Sequence, residues 1–297
     1  MFVLAHLSDP HIGPLPRPRL SDLAGKRLLG FANWRLRRRA CHRPEVLDLI
    51  TADVTASAPD HIAVTGDLIN IALDQEFAPA RAWLDRLGPP ERVTLVPGNH
   101  DTYVRATAHH AARIWDPYMR GDPEGMDGAG YPFLRRRGPI ALIALSTAQP
   151  TPPFMATGRV GARQLAQCAA ILERLKGEEA FRVVLIHHPP AGVRARHKRL
   201  VDAAALVQVL EQHGADLLLH GHDHLHSLAW LEGPNGRIPV VGVPSSSEST
   251  QGRYDAAAYN LYRIEGKAGS WSCEAVTRGH GPRRDDIHEL KRQVLIG

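Results

Sequence analysis

Leu95-Val96-Pro97-Gly98-Asn99-His100-Asp101 closes an apolar run that starts at Val93. Pro97-Gly98 stops the run, and an amide, an imidazole and a carboxylate follow without a spacer. A buried strand that ends in a reactive loop has this form. Four other strand-like runs end in Asp or His. Residues 1–7 lead into Ser8-Asp9-Pro10-His11, and 61–65 into Gly66-Asp67. Residues 181–186 lead into His187-His188, and 216–219 into His220-Gly221-His222-Asp223-His224.

Helical periodicity fills the gaps: 44–58, 75–87, 164–175 and 201–213, with a further helix expected over 105–118. Residues 122–130 read as loop. After His224 the pattern is β, over 227–231, 238–243, 259–264 and 271–276. A polar tail, 278–297, ends in an expected short helix. Strands alternate with helices first and dominate later, and no Gly/Ser-rich linker divides the chain. The expectation is a single α/β domain over 1–297.

The chain has 297 residues, 43% hydrophobic and 23% charged, an ordinary globular composition. No apolar run approaches the roughly 18 residues that span a bilayer. The first residues lack a signal-peptide pattern, so a cytoplasmic protein is expected. Three widely spaced cysteines without a CxxC read as reduced, buried thiols. A net charge of +5 suggests an anionic partner without naming it.

Ligands of α/β proteins gather beyond the carboxyl ends of strands. There this chain places Asp9, His11, Asp67, Asn99, His100, His187, His222 and His224. Carboxylate, imidazole and amide oxygen suit Mn, Fe or Zn. Eight such groups exceed the needs of one ion and would serve two that share a bridging carboxylate. His6 reads as a core histidine; His188 and His220 read as neighbours of ligands.

Asp-x-His, Gly-Asp, Gly-Asn-His-Asp, His and Gly-His-x-His, in this order over residues 9–224, resemble the calcineurin-like metallophosphoesterase superfamily. The surrounding Leu7-Ser8-Asp9, Val64-Thr65-Gly66-Asp67 and His187-His188-Pro189-Pro190 are similar to its bacterial branch of class III cyclic nucleotide phosphodiesterases. The resemblance implies a four-layer α/β/β/α sandwich of two mixed sheets and two divalent or trivalent metal ions (Mn, Fe or Zn). One ion would take Asp9, His11 and His224, the other Asn99, His187 and His222, with Asp67 between them. A metal-bridging hydroxide would attack a phosphoester. His100 would be the general acid or a donor to a phosphate oxygen, and Asp101 would orient it.

Residues 14–43 depart from that pattern, with nine Lys or Arg against a single acid, Asp22. A helix through the middle aligns Leu28, Ala32 and Leu36, with Phe31 and Trp34 on another side. Two readings stand open. The segment is an insertion docked by its leucines, or residues 20–40 form a surface for an anionic lipid headgroup, a membrane face or a large anionic substrate. In the second case the protein would be peripheral at the inner membrane surface. Tyr103, Arg194 and Arg196 are candidate substrate contacts. The leading expectation is a phosphodiesterase acting on a cyclic nucleotide or a nucleotide-linked ester. A lipid-linked pyrophosphate or phosphate hydrolase, resembling the UDP-diacylglucosamine pyrophosphatases, is the alternative. A non-catalytic binding module of the same fold is the third class, and nucleic-acid binding ranks below these.

Overall fold

The computed structural model describes residues 1–123, 130–192, 195–249, 254–280 and 286–297. Twelve strands form two mixed six-stranded sheets. The first contains β1 (Phe2–Leu7), β2 (His61–Val64), β3 (Val93–Leu95), β10 (Ala258–Glu265), β11 (Ser272–His280) and β12 (Ile287–Ile296), in the order β12-β11-β10-β1-β2-β3. The second contains β4 (Phe133–Arg137), β5 (Ile140–Ala144), β6 (Phe181–Leu185), β7 (Leu217–His220), β8 (Ser227–Leu231) and β9 (Ile238–Gly242), in the order β4-β5-β6-β7-β9-β8. β1, β2 and β3 run parallel, as do β5, β6, β7 and β9.

Side chains alternate along each central strand between two apolar interiors. Leu4 and Ala63 face the second sheet, whereas Ala5, Leu7, Ile62 and Val64 face the helices α3 (Pro44–Ala56) and α4 (Asp74–Leu87). Phe181, Val183 and Leu185 point inward between the sheets; Val184 and Ile186 pack toward α6 (Ala162–Leu175) and α7 (Ala203–His213). Three interiors thus separate four layers, helix, sheet, sheet, helix, as the resemblance implied. Strands buried on both faces read as continuous apolar runs, which is why they were legible.

Three local expectations fail. The charged tail is the edge strand β12, paired antiparallel with β11 through two register shifts, and not a helix. Its helix-forming residues lose to the free edge of β11, because β preference follows the partner on offer. Residues 105–118 form a 3-10 turn, the short α5 (Ala108–Ile114) and another turn that begins at Asp116-Pro117. The basic segment is helical, as α1 (Lys26–Asn33), a π-helical turn over Trp34–Arg38 and α2 (Arg39–Cys41), but its docked face is the other one. Phe31 and Trp34 stack at 6.4 Å and pack on the first core. Leu28, Leu29 and Leu36 are 54%, 40% and 82% exposed.

Candidate metal centre

The carboxyl ends of β1, β2, β3, β6 and β7 come to one edge of the sandwich, and their loops are tied across it. Asp9 N donates to Gly66 O (2.9 Å), His11 N to Asp67 O (3.1 Å) and Gly221 N to His187 O (3.1 Å). A parallel bridge between Ser8 and Ser245 links the two sheets there. Gly66, at φ 92°, and Gly98 lie back to back; a Cβ on Gly98 would strike the Asp67 carboxylate. Asp9, His11, Asp67, His222 and His224 have φ between 38° and 73°, the left-handed region. Among the described residues only three other non-glycine positions share it, Ala58, Ala72 and Phe154. Such backbone persists where the surroundings over-determine it, typically at working sites.

The seven expected ligands meet in this pocket, all buried. Carbonyl oxygens fix their protons, since a carbonyl only accepts. His11 Nδ1 faces Ile69 O at 3.1 Å and His187 Nδ1 faces Thr65 O at 2.6 Å, so each carries its hydrogen there. The other nitrogen of each ring, Nε2, lies 4.0 Å (His11) and 3.4 Å (His187) from the same oxygen, Asp67 Oδ2. Asn99 Oδ1 lies 3.3 Å from His187 Nε2. His224 Nε2 is 3.2 Å from Asp9 Oδ1 and 3.3 Å from His11 Nε2. His222 Nε2 is held by Lys198 O at 2.9 Å, which leaves Nδ1 toward the site.

Carboxylates and imidazoles that converge in a buried pocket fit cations, which would take the place of the proton that His187 shares with Asp67. The same field appears in the titration of His187. Burial opposes its charge, but Asp67 and Asp9 lift it to about 10. The Asp67 carboxyl is held well below the usual range, because the surrounding imidazoles outweigh its burial. Groups of His and Asp able to hold an ion are Asp9, His11 and Asp67; His11, His42 and His224; and His187, His188 and His222. His188 is a poor member, because Thr147 Oγ1 (2.7 Å) and Ala156 O (3.1 Å) already engage both of its nitrogens. His6 is a buried core histidine on Thr65 Oγ1 at 2.9 Å.

His100 sits at the rim. Its Nδ1 donates to Asn70 O, its amide donates to Asp67 Oδ1 (2.6 Å) and its ring stacks on Tyr103 at 5.2 Å. Burial and the Arg38 guanidinium push it down to about 3. Asp101 does not touch it, contrary to expectation. The Asp101 carboxylate instead accepts from Gly98 N, Asp67 N and Leu68 N at 2.8 Å and from Ile69 N at 3.3 Å. It clips the β2 loop to the β3 loop, because four amides at the strand ends need a common acceptor. Asn70 O takes the orienting role. Tyr103 is buried, packed between His100 and Lys26, whose Nζ lies 4.4 Å from its ring centre. Arg194 lies outside the described residues. Arg196 is exposed, on the loop whose Lys198 carbonyl holds His222.

Three residues went unanticipated. Arg38 Nη2 lies 2.9 Å from His11 Nε2 and Nη1 3.1 Å from His100 Nε2. His42 is buried 4.6 Å, ring to ring, from His11. Glu248 Oε2 lies 3.7 Å from His42 Nδ1 and 3.9 Å from His224 Nδ1, where a carboxylate can orient an imidazole. Glu248 follows β9, so the strand-end rule that found the others covers it; nothing in the arginine run singled out Arg38 or His42.

A two-sheet sandwich with a buried His/Asp cluster beyond its strand ends is the frame of a metal-dependent phosphoesterase. The calcineurin-like phosphoesterase profile matches residues 2–226, and the chain belongs to that family. No curated protein matches its sequence. Among solved structures it is similar in fold to a dimetal phosphatase from Danio rerio (13% identity, TM-score 0.58, 98% of each chain). It is also similar to a purple acid phosphatase from yellow lupin, Lupinus luteus, seeds (12% identity, TM-score 0.60). That match covers 99% of this chain and 53% of the lupin one.

Proposed function

We propose that the chain hydrolyses a phosphodiester at a two-cation centre, with Asp9, His11 and His224 on one ion, Asn99, His187 and His222 on the other, and Asp67 shared. The carrying observation is that the Nε2 atoms of His11 and His187 both approach one Asp67 oxygen, at 4.0 and 3.4 Å. The neighbour described as a dimetal phosphatase supports it. Two bound cations supply a nucleophilic water at neutral pH and neutralise the phosphoryl oxygens. The chain's own part is to hold these donors without rearrangement and to place His100 beside the leaving oxygen, as its proton donor or as a donor to a phosphoryl oxygen. His100 is neutral while it faces Arg38 alone, so the donor role needs the negative charge of the substrate nearby. The likeness of its motifs to class III cyclic nucleotide phosphodiesterases supports a diester. The test is hydrolysis of bis(p-nitrophenyl) phosphate by Mn-reconstituted protein before and after chelation; absence of metal-dependent turnover removes this reading.

One observation favours a lipid-linked substrate as a second reading. Leu20, Leu28, Leu29 and Leu36 are exposed amid Arg35, Arg37 and Arg39, the make-up of a helix that lies on an anionic bilayer. No described helix is long and apolar enough to cross one. Sedimentation with anionic liposomes at low salt tests it, and protein that stays in the supernatant ends it.

A further inference from the structure

We propose that Arg38, carried into the centre by the basic insertion, is the residue that grips the phosphoryl group of the substrate. This rests on the reading above that the centre hydrolyses a phosphoester.

The guanidinium projects between the β1 and β3 loops and contacts His11 and His100. Among the described residues it has no counter-ion. Arg35, Arg37 and Arg39 beside it are exposed to solvent, whereas Arg38 is half-buried. Among the described residues no carboxylate pairs with Arg38, which meets only imidazole nitrogens. A half-buried guanidinium with no anionic partner, aimed into a site that receives an anion, matches the planar fork that arginine offers to phosphate. Its nearest acceptor, His11 Nε2, is also the lone pair assigned above to a cation. In the loaded protein Arg38 therefore needs another acceptor, and a phosphoryl oxygen beside His100 is the one the reaction brings.

The insertion is built to deliver this side chain. Phe31 and Trp34 anchor it on the core. The wide turn over Trp34–Arg38 then brings Arg38 inward while Arg35, Arg37 and Arg39 stay exposed. π-helical turns recur where a helix re-aims a functional group. Beyond the turn the chain is pinned again. His42 N donates to Arg38 O at 2.8 Å, Arg43 N to Ser247 O at 2.9 Å and Ser249 N to Cys41 O at 2.8 Å. The segment is held at both ends of the turn that carries Arg38.

The experiment compares metal-reconstituted full-length protein with Arg38→Ala and Arg38→Lys. Metal content, hydrolysis of bis(p-nitrophenyl) phosphate and the shift in melting temperature produced by inorganic phosphate are measured on each. Arg38→Ala is expected to keep the wild-type metal content and to lose about 10²- to 10³-fold in turnover, the size seen when one donor to transition-state charge is removed. It should also lose the phosphate-induced shift. Added guanidinium should restore part of the turnover of Arg38→Ala, and Arg38→Lys should fall between the two. A metal-loaded Arg38→Ala protein with an undiminished phosphate shift overturns the proposal, and so does loss of metal in Arg38→Lys, which would make the residue a support of the ligands. If Arg38→Ala does not fold, the phosphate shift of Arg38→Lys decides, and a wild-type value overturns the proposal. Failure of the underlying reading looks different: the wild-type protein itself shows no metal-dependent turnover.

Discussion

The strand-end loops and the basic insertion both bring polar side chains to one pocket, and they do it by opposite means. The loops are over-determined. Five candidate ligands sit on left-handed backbone, braced by cross-loop amide bonds and by the Asp101 clip. The insertion reaches the same place on a helical arm held by two stacked aromatics, by Lys26 on Thr151 and Met155 O, by Arg27 on Ile71 O and Ala72 O, and by backbone bonds to 247–249. The loops set their donors by backbone geometry, whereas the arm sets a guanidinium by where its helix is anchored.

Asp67→Ala should break the loop side outright. Removing the oxygen shared by both His11 and His187 should abolish metal binding and activity together, as read by metal analysis of the purified variant. His100→Ala should separate the two functions: turnover falling about 10²- to 10⁴-fold with metal content unchanged. Loss of metal there would show that the rim residue belongs to the coordination set. Asp101→Ala leaves four buried amides without their acceptor and should cost about 3 kcal/mol, each orphaned donor being worth roughly 1 to 3 less whatever water recovers. Its metal content should fall in parallel, measurable by denaturant titration beside metal analysis. Leu28→Ser with Leu36→Ser tests the arm at its outer face. Stability should stay within about 0.5 kcal/mol, because both side chains are exposed. If the lipid reading holds, liposome sedimentation drops while hydrolysis of a soluble diester does not.

The same contrast explains what the sequence made legible. Val93–Leu95 and Phe181–Leu185 are buried throughout and largely apolar, so their ends, and the candidate ligands at those ends, are legible in the sequence. Asp101 misled because adjacency in sequence is not contact. Next to His100 in the chain, it points back into the loop, where amide donors outbid an imidazole. The insertion misled for a different reason. Leu28, Ala32 and Leu36 make a clean stripe, yet Phe31 and Trp34 offer larger rigid surfaces, and a π turn breaks the regular 3.6-residue phase on which the stripe was counted. The closing residues 287–296 carry helix-forming side chains, and only the free edge of β11, invisible to local pattern, decides their conformation.

The left-handed residues carry a message for chains that share this frame. A carboxylate or imidazole side chain at φ near 50° costs roughly 1 to 2 kcal/mol that glycine would not incur. Two of these side chains also close backbone bonds: Asp9 Oδ2 accepts from His222 N at 2.9 Å and Asp67 Oδ1 from His100 N at 2.6 Å. Glycine at these positions would relieve the backbone and would remove the donors and those bonds together. The five left-handed side chains thus set a backbone cost against the cluster they build.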